Sequence, residues 1–126
     1  MIFIDSSAAI HLMRGELPDA SLYGETLGVS VLVEMELLLG VLHGGKVKES
    51  KRVDAFIQQV QVFDFDRSAA RKSAEVLAQL WREGKPIGDI DTQIAGHALS
   101  LGLPLLTDNV KHFRRVEGLE VIAWLG

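Results

Sequence analysis

Short apolar runs alternate along the chain with longer segments in which apolar residues recur at helical spacing. Five runs have the length and composition of strands: 1–5, 28–30, 62–65, 103–107 and 119–124. Helical spacing predicts helices at 8–13, 31–43, 47–60, 69–82, 91–101 and, as a short helix or turn, 109–115. Strands that alternate with helices predict an α/β fold in which a mainly parallel sheet of about five strands carries helices on both faces.

Two of the predicted helices carry specific expectations about burial. The helix at 31–43 is apolar nearly all the way round, so we expect it to be buried. The helix at 69–82 is expected to face the core with one stripe of residues: Ala70, Ser73, Ala74, Leu77, Leu80 and Trp81.

Length and composition narrow the class of protein. The chain has 126 residues, of which 48% are hydrophobic and 24% charged, and this predicts one globular domain spanning 1–126. It has no cysteine, which excludes disulfides, zinc–thiolate sites and thiol nucleophiles. The apolar runs fall short of the roughly 18 residues that a membrane span needs, and no basic region precedes the first run. We therefore expect a cytoplasmic protein that makes no membrane contact.

The charge distribution argues against one kind of nucleic-acid binder. The net charge is −4, whereas a protein that binds duplexes through a broad surface is basic. A nuclease remains compatible with this charge, because a metal site needs acids and brings its own positive charge. A local basic group also follows Asp108, and its members are Lys111, His112, Arg114 and Arg115.

Four acids occupy positions that a single fold can bring together. Asp5 ends the first strand and Asp108 follows the strand at 103–107. Ligand sites of parallel sheets lie at the carboxyl ends of the strands, where both residues are placed. Glu36 lies inside the apolar helix at 31–43, and Asp91 begins another. Buried acids are costly unless they are paired, and hard divalent cations such as Mg²⁺ or Mn²⁺ take carboxylate oxygens. The pattern predicts a metal-dependent enzyme that acts on phosphate esters.

Each acid also has a plainer interpretation. Asp5 can cap the following helix, although Ser6 and Ser7 are available for that role. By helical spacing alone, Glu34 is nearly as good a candidate as Glu36. Asp91 and its neighbour Asp89 both fall in a first helical turn, where acids complement the helix dipole, but Asp91 shares its face with core residues. Asp108 followed by Asn is an ordinary turn pair.

The motifs that contain these acids resemble those of a known family. They are IDSS at 4–7, ELLLG at 36–40, IGDIDTQIAGHA at 87–98, LTDN at 106–109 and FRRVEGL at 113–119, with Trp124 near the end. Together they resemble the motifs of PIN-domain proteins, and among these the VapC-type toxins of bacterial toxin–antitoxin pairs. The resemblance runs over the whole chain.

The resemblance implies a compact α/β/α domain and a Mg²⁺- or Mn²⁺-dependent endoribonuclease. It implies that Asp5, Glu36 and Asp91 are metal ligands, with Asp108 as the fourth acid. Ser6 and Thr107 would orient these ligands or a bound water. The family also implies a homodimer, and a small VapB-type antitoxin that neutralises the toxin and assembles with it into a heterotetramer or larger complex.

The mechanism that follows is hydrolysis of an RNA phosphodiester by a metal-activated water. The basic group after Asp108 is expected to hold the RNA backbone. Three other functions remain open. The first is a housekeeping PIN-type nuclease for RNA processing, and the second is a PIN-like binding protein with little activity. The third is a Mg²⁺-binding phospho-receiver module, in which Asp64 or Asp66 would be the acceptor.

Overall fold

The computed structural model describes residues 1–44 and 47–125, and Gly45, Lys46 and Gly126 lie outside the described residues. The strands are β1 (Ile2–Ile4), β2 (Leu27–Ser30), β3 (Gln61–Phe63), β4 (Leu105–Thr107) and β5 (Val121–Ala123). The α-helices are α1 (Ser6–Met13), α2 (Val31–Gly44), α3 (Val47–Gln59), α4 (Arg67–Glu83), α5 (Asp89–Leu101) and α6 (Val110–Phe113). A single 3₁₀ turn, Ala20–Leu22, follows α1. Each predicted element is present, and most differ from the prediction only at their ends.

The five strands form one sheet in the order β3-β2-β1-β4-β5, and every pair is parallel. This confirms the predicted fold class. The chain moves outward from β1 through β2 to β3 on one side, then returns past β1 to β4 and β5. Right-handed crossovers, which parallel units almost always adopt, then place the connecting helices on both faces of the sheet. The direction of the crossovers reverses between β1 and β4, and such a switch point is where doubly wound sheets bind their ligands.

The core is centred on β1, whose three residues are all buried. On one face of the sheet α4 and α5 pack unusually closely. A Cβ atom added to Gly96 of α5 would lie 2.5 Å from the Cα atom of Ser73 on α4, so only glycine allows this approach.

Because of this packing, α4 buries a different face from the predicted one. Ser73 and Leu80 are buried as expected, but Ala69, Val76 and Gln79 complete the buried face. Ala70 and Ala74 are exposed and Trp81 is 69% exposed, so the predicted stripe was wrong at these three positions. The observed buried face is rotated from the predicted one by about one residue. Small residues such as alanine do not indicate which face of the helix is buried.

The expectation that α2 is buried was also wrong. Val33 and Leu37 are buried, whereas Leu39 is 62% exposed and Leu42 is 79% exposed. Together with Met35 and Leu38, these two leucines form an exposed apolar face. A helix that is apolar all round indicates contact on every side, whereas within residues 1–44 and 47–125 the face with Leu39 and Leu42 stays exposed. None of the described helices combines the length and the apolar character needed to cross a membrane.

Candidate active site

The carboxyl ends of β1 and β4 define the candidate site. Ile4 pairs with Leu106, so Asp5, which follows β1, and Thr107, the last residue of β4, lie side by side at the switch point of the sheet. The backbone N–H of Asp5 donates to the carbonyl of Leu106 at 3.3 Å and joins the ends of β1 and β4. The position of Asp5 therefore follows directly from the order of the strands.

Asp5 is held by three donors. It is only 4% exposed. Its Oδ1 atom accepts from the hydroxyl of Ser7 at 2.7 Å and from the N–H of Ala8 at 3.0 Å, while Oδ2 accepts from Thr107 Oγ1 at 2.6 Å. Asp5 is therefore the N-cap of α1, and the expectation that a serine supplies this cap was wrong. Capping and a site role are compatible here, because the contacts fix the carboxylate at the strand end.

Glu36 approaches the same site from α2. Its Oε1 atom accepts from the hydroxyl of Ser6 at 2.5 Å, and Ser6 is the residue next to Asp5. Glu34, in contrast, borders the exposed apolar face of α2. The geometry therefore brings Glu36, rather than Glu34, to the strand ends. It also places Ser6 as predicted, in contact with one of the acids.

Asp91 reaches the site from the first turn of α5. It is half-buried, and the pKa of its carboxyl is raised from 3.8 to about 6. Burial is the largest cause, the negative charges of Asp5 and then Glu36 also raise the pKa, and His112 lowers it. Charges shift a pKa in this way only when they are close, so three acids from three elements converge. Asp89 is exposed and lines a separate cleft between α4 and α5.

Asp108 has a different environment. It is an exposed residue, with 58% of its side chain accessible, and its Oδ2 atom lies 3.0 Å from Nε2 of His11. The ring of His11 also contacts Glu16 and stacks on Trp124, with 4.8 Å between the ring centroids. The hydrogen bond with Asp108 and then that with Glu16 raise the pKa of His11. Asp108 thus lies at the rim of the site and is paired with a histidine.

The predicted RNA-binding residues surround this rim. Lys111 and Arg114 are exposed, and His112 is close enough to Asp91 to lower its pKa. The guanidinium of Arg115 donates to the carbonyl of Pro86 at 3.1 Å, so part of its hydrogen-bonding capacity is used within the fold. Of the basic group, His112 is therefore the member that the electrostatics bring close to Asp91, and Arg115 is the least available.

Two residues near the strand ends were not singled out from the sequence. The hydroxyl of Ser7 donates to Asp5 and accepts the backbone N–H of Asp108 at 3.0 Å. It thereby joins the ends of β1 and β4. His11, the second of these residues, is the partner of Asp108. The two serines after Asp5 are a sequence feature that could have pointed to Ser7. No such feature links His11 to Asp108, which only the fold brings together.

The chemistry of these side chains fits a hard divalent cation. Carboxylate oxygens are the preferred ligands of Mg²⁺ and Mn²⁺, and a cation among the acids would offset the repulsion that raises the pKa of Asp91. Within residues 1–44 and 47–125, however, no three His, Cys, Asp or Glu side chains form a ready-made metal-binding group. The side chains would have to close on an ion when it binds.

Known proteins place this architecture in a family. The sequence model of the PIN domain matches residues 2–119. The chain belongs to the PIN-domain family. It is 36% identical over 97 residues to the tRNA(fMet)-specific endonuclease VapC of Shigella flexneri, covering 76% of this chain and 74% of that protein. It is also 36% identical over 129 residues to ribonuclease VapC1 of Rickettsia felis, covering 96% of this chain and 94% of the relative.

A solved structure extends the similarity to the whole fold. The structure of VapBC2 from Rickettsia felis bound to a DNA fragment from their promoter matches with a TM-score of 0.87 at 25% sequence identity. The match covers 98% of this chain and 99% of the other. The family assignment thus agrees with the fold, with the strand-end position of Asp5 and with the resemblance found in the sequence motifs.

Proposed function

We propose that this PIN-domain protein is a metal-dependent endoribonuclease toxin that a cognate antitoxin neutralises. The observation that carries the proposal is the convergence of Asp5, Glu36 and Asp91, which is reported by the raised pKa of Asp91. Perturbed acids gathered in one place are characteristic of functional sites. The ribonuclease names of the relatives support the reaction, and the VapBC structure supports the antitoxin.

In this proposal Asp5, Glu36 and Asp91 hold Mg²⁺ or Mn²⁺, and Asp108 completes the set from the rim. When bound, the ion lowers the pKa of a water and offsets the charge that develops on the phosphate. Thr107 and Ser7 keep the carboxylate of Asp5 in one orientation, and Ser6 does the same for Glu36. Such contacts to ligands typically contribute about 10- to 100-fold in affinity or activity.

The RNA backbone is held by Lys111, His112, Arg114 and, to a smaller extent, Arg115. Their charges attract phosphates, and His112, which lies close enough to Asp91 to lower its pKa, would guide a phosphodiester to the acids. Unpaired RNA is the better substrate, because its backbone can be drawn into a cleft. By resemblance to the family, the products carry 5′-phosphate and 3′-hydroxyl ends.

The partners are a VapB-type antitoxin and a second copy of the chain, in a heterotetramer or larger assembly. The exposed apolar face of α2 supports partner binding, since a face that contains Leu39 and Leu42 is costly to leave in water. A groove beside Glu36 is lined by apolar residues and by Arg14 and Arg52, and it would suit an antitoxin segment that reaches the acids.

The phospho-receiver alternative receives no support from the site. The side chain of Asp66 accepts the N–H of Ala69 at 2.9 Å and caps α4, which is an ordinary structural role. Asp64 is exposed, and neither residue appears among the charges that act on Asp91.

The proposal is tested with purified protein, freed of antitoxin, and total cellular RNA in Mg²⁺, in Mn²⁺ and in EDTA. We expect discrete fragments that EDTA abolishes and that are missing with Asp91→Asn. Asp89→Asn is the matched control, because it removes a carboxylate from the same helical turn outside the site. Metal-independent cleavage, or equal cleavage by Asp91→Asn, would remove the acids from the reaction.

A further inference from the structure

A histidine lies in the core with no part in the reaction proposed above. His97 of α5 is only 1% exposed. Its ring meets those of Phe3 and Phe65 edge-on, with centroid separations of 5.1 Å and 5.4 Å, and Phe63 lies 6.5 Å away. Burial lowers the pKa of His97, so the ring is neutral at physiological pH. A phenyl ring would suit these aromatic surroundings at a lower desolvation cost, so packing alone does not explain an imidazole here.

The polar contacts of His97 form a continuous chain. Nδ1 lies 2.9 Å from Oγ of Ser30, and Ser30 Oγ accepts the N–H of Leu32 at 3.1 Å. Against the effect of burial, the charge of Asp66 and then the backbone of Asp64 raise the pKa of the ring. Because Ser30 Oγ already accepts the N–H of Leu32, its own hydroxyl hydrogen is available to His97, and we assign Nδ1 of the neutral ring as its acceptor.

This chain joins the helices that carry two of the acids. Ser30 is the last residue of β2 and its hydroxyl caps the start of α2, which presents Glu36 a turn and a half later. His97 lies six residues after Asp91 on α5. The hydrogen bond between His97 and Ser30 is therefore a direct polar link between α5 and the start of α2.

We propose that the His97–Ser30 hydrogen bond sets the separation of Asp91 from Glu36, which makes His97 a positioning residue for the divalent ion. The inference rests on the proposed function, because it assumes that these acids hold a metal. A hydrogen bond is directional and has a defined length, whereas apolar packing permits small slides of one helix on another. Because the described acids form no ready-made group, the affinity for an ion depends on how far the carboxylates must move.

The test uses Mn²⁺ alone as the probe, titrated calorimetrically into the full chain without RNA. The variants are His97→Phe, Ser30→Ala and the double variant. We expect each single change to weaken Mn²⁺ binding about 10-fold, in line with the contribution of contacts that orient metal ligands. The double variant should be no weaker than either single one, because both remove the same hydrogen bond.

Two further variants separate positioning from stability. His97→Asn keeps an acceptor at the place of Nδ1 but leaves a cavity, so it should fold less stably than His97→Phe and yet bind Mn²⁺ more tightly. Val76→Ala removes buried volume from α4, away from the hydrogen-bond chain, and should lower the free energy of unfolding without changing Mn²⁺ affinity. A merely structural role would make affinity follow stability in all of these variants.

The outcomes are distinguishable. Wild-type affinity in folded His97→Phe and in Ser30→Ala would overturn the positioning role while leaving the proposed function intact. Additive losses in the double variant would also overturn it, because the two residues would then act separately. A wild-type chain that binds no Mn²⁺ would overturn the proposed function itself. Should His97→Phe fail to fold, Ser30→Ala and His97→Asn test the same hydrogen bond from its two ends.

Discussion

Asp5 and Asp108 lie just beyond the ends of two adjacent parallel strands, and their surroundings differ sharply. Asp5 is buried and receives hydrogen bonds from a backbone amide and two hydroxyls. Asp108 is exposed and faces a histidine. The comparison shows that a strand end brings an acid to the site, whereas the donors around it decide whether its position is fixed. We therefore expect the two acids to contribute unequally.

The largest effect is expected for Asp5→Asn. Losing a carboxylate ligand removes several kcal/mol of transition-state stabilisation, which corresponds to about 1000-fold or more in rate. Asparagine is also a good N-cap, so α1 should be retained. Single-turnover cleavage of RNA in saturating Mn²⁺ gives the rate, and circular dichroism checks the fold. Activity within 10-fold of wild type would contradict the assignment of Asp5.

Asp91→Asn should abolish cleavage and at the same time stabilise the fold. The folded-state pKa of Asp91 is about 6, above the ordinary value of 3.8, so the folded chain binds more protons between these values. Wild-type stability therefore gains from Asp91 as the pH falls through 6 towards 4, and at pH 7.5 the charged carboxylate opposes folding. After discounting for solvent, the gain in the variant at pH 7.5 is on the order of 1 kcal/mol.

The free energies of unfolding of wild type and Asp91→Asn are measured by urea denaturation without metal, at pH 7.5 and at pH 4.5. The difference in free energy of unfolding between Asp91→Asn and wild type should be large at the higher pH and small at the lower. An equal difference at both pH values would mean that neither burial nor the neighbouring acids raise the pKa of Asp91 in the folded chain. Asp89→Asn provides the matched control at the same helix terminus.

The sequence predicted the acids better than their surroundings. Strand-end and helix-start positions are local features, so Asp5 and Asp91 could be found from the apolar pattern and from the family resemblance. Helical spacing left Glu34 nearly as good a candidate as Glu36, and only the family resemblance favoured Glu36. The contact of Glu36 with Ser6 joins residues 30 positions apart, so no local pattern reports it. The pairing of His11 with Asp108 spans 97 positions, and no periodicity in a chain reports such a contact.

The sequence likewise predicted the helices better than their surroundings. The spacing that predicts α2 and α4 is set by local geometry, and both helices are present. Which face is buried depends on the neighbours. The stripe on α4 was misplaced because the close approach of Gly96 to Ser73 fixes its rotation. The burial of α2 was overestimated because some of its apolar residues, Leu39 and Leu42 among them, are left exposed by the described part of the chain.

Thr107→Val tests whether the donors around Asp5 account for its role. Valine keeps the shape of threonine but removes the hydroxyl that donates to Asp5 Oδ2 and accepts the N–H of Asn109 at 2.8 Å. We expect cleavage and metal affinity to fall about 10- to 100-fold, and stability to fall by about 1 kcal/mol. The concentration of Mn²⁺ at half-maximal rate is the measurement. An unchanged value would show that burial of Asp5, rather than its hydrogen bonds, is what matters.

Asp108→Asn should have a smaller effect, about 10-fold in the cleavage rate, because the carboxylate is exposed and must leave His11 to reach an ion. Glu16→Gln is its matched control, since it removes a charge from the other side of the same ring and should leave cleavage unchanged. If Asp108→Asn lowers the cleavage rate as much as Asp5→Asn does, the two acids contribute equally and the contrast between them is wrong.

The smallest effect concerns two histidines, which repeat the contrast between interior and rim. Burial lowers the pKa of His97, so its contribution to stability is present above the unfolded value of 6.5 and is lost as the pH falls below it. Asp108 and Glu16 raise the pKa of His11, so its contribution is present below 6.5 and is lost as the pH rises through its folded pKa.

Replacing each histidine should therefore change the pH dependence of stability in opposite directions. Relative to wild type, His97→Phe should gain stability as the pH falls from 7.5 to 5.5, whereas His11→Asn should lose it. Thermal unfolding across this range measures both differences, and subtraction of the wild-type curve removes the titration of Asp91 that the three proteins share. If the two stability differences change with pH in the same direction, the two histidine rings occupy equivalent environments. The contrast between a fixed interior and an adjustable rim would then fail for the histidines as well as for the acids.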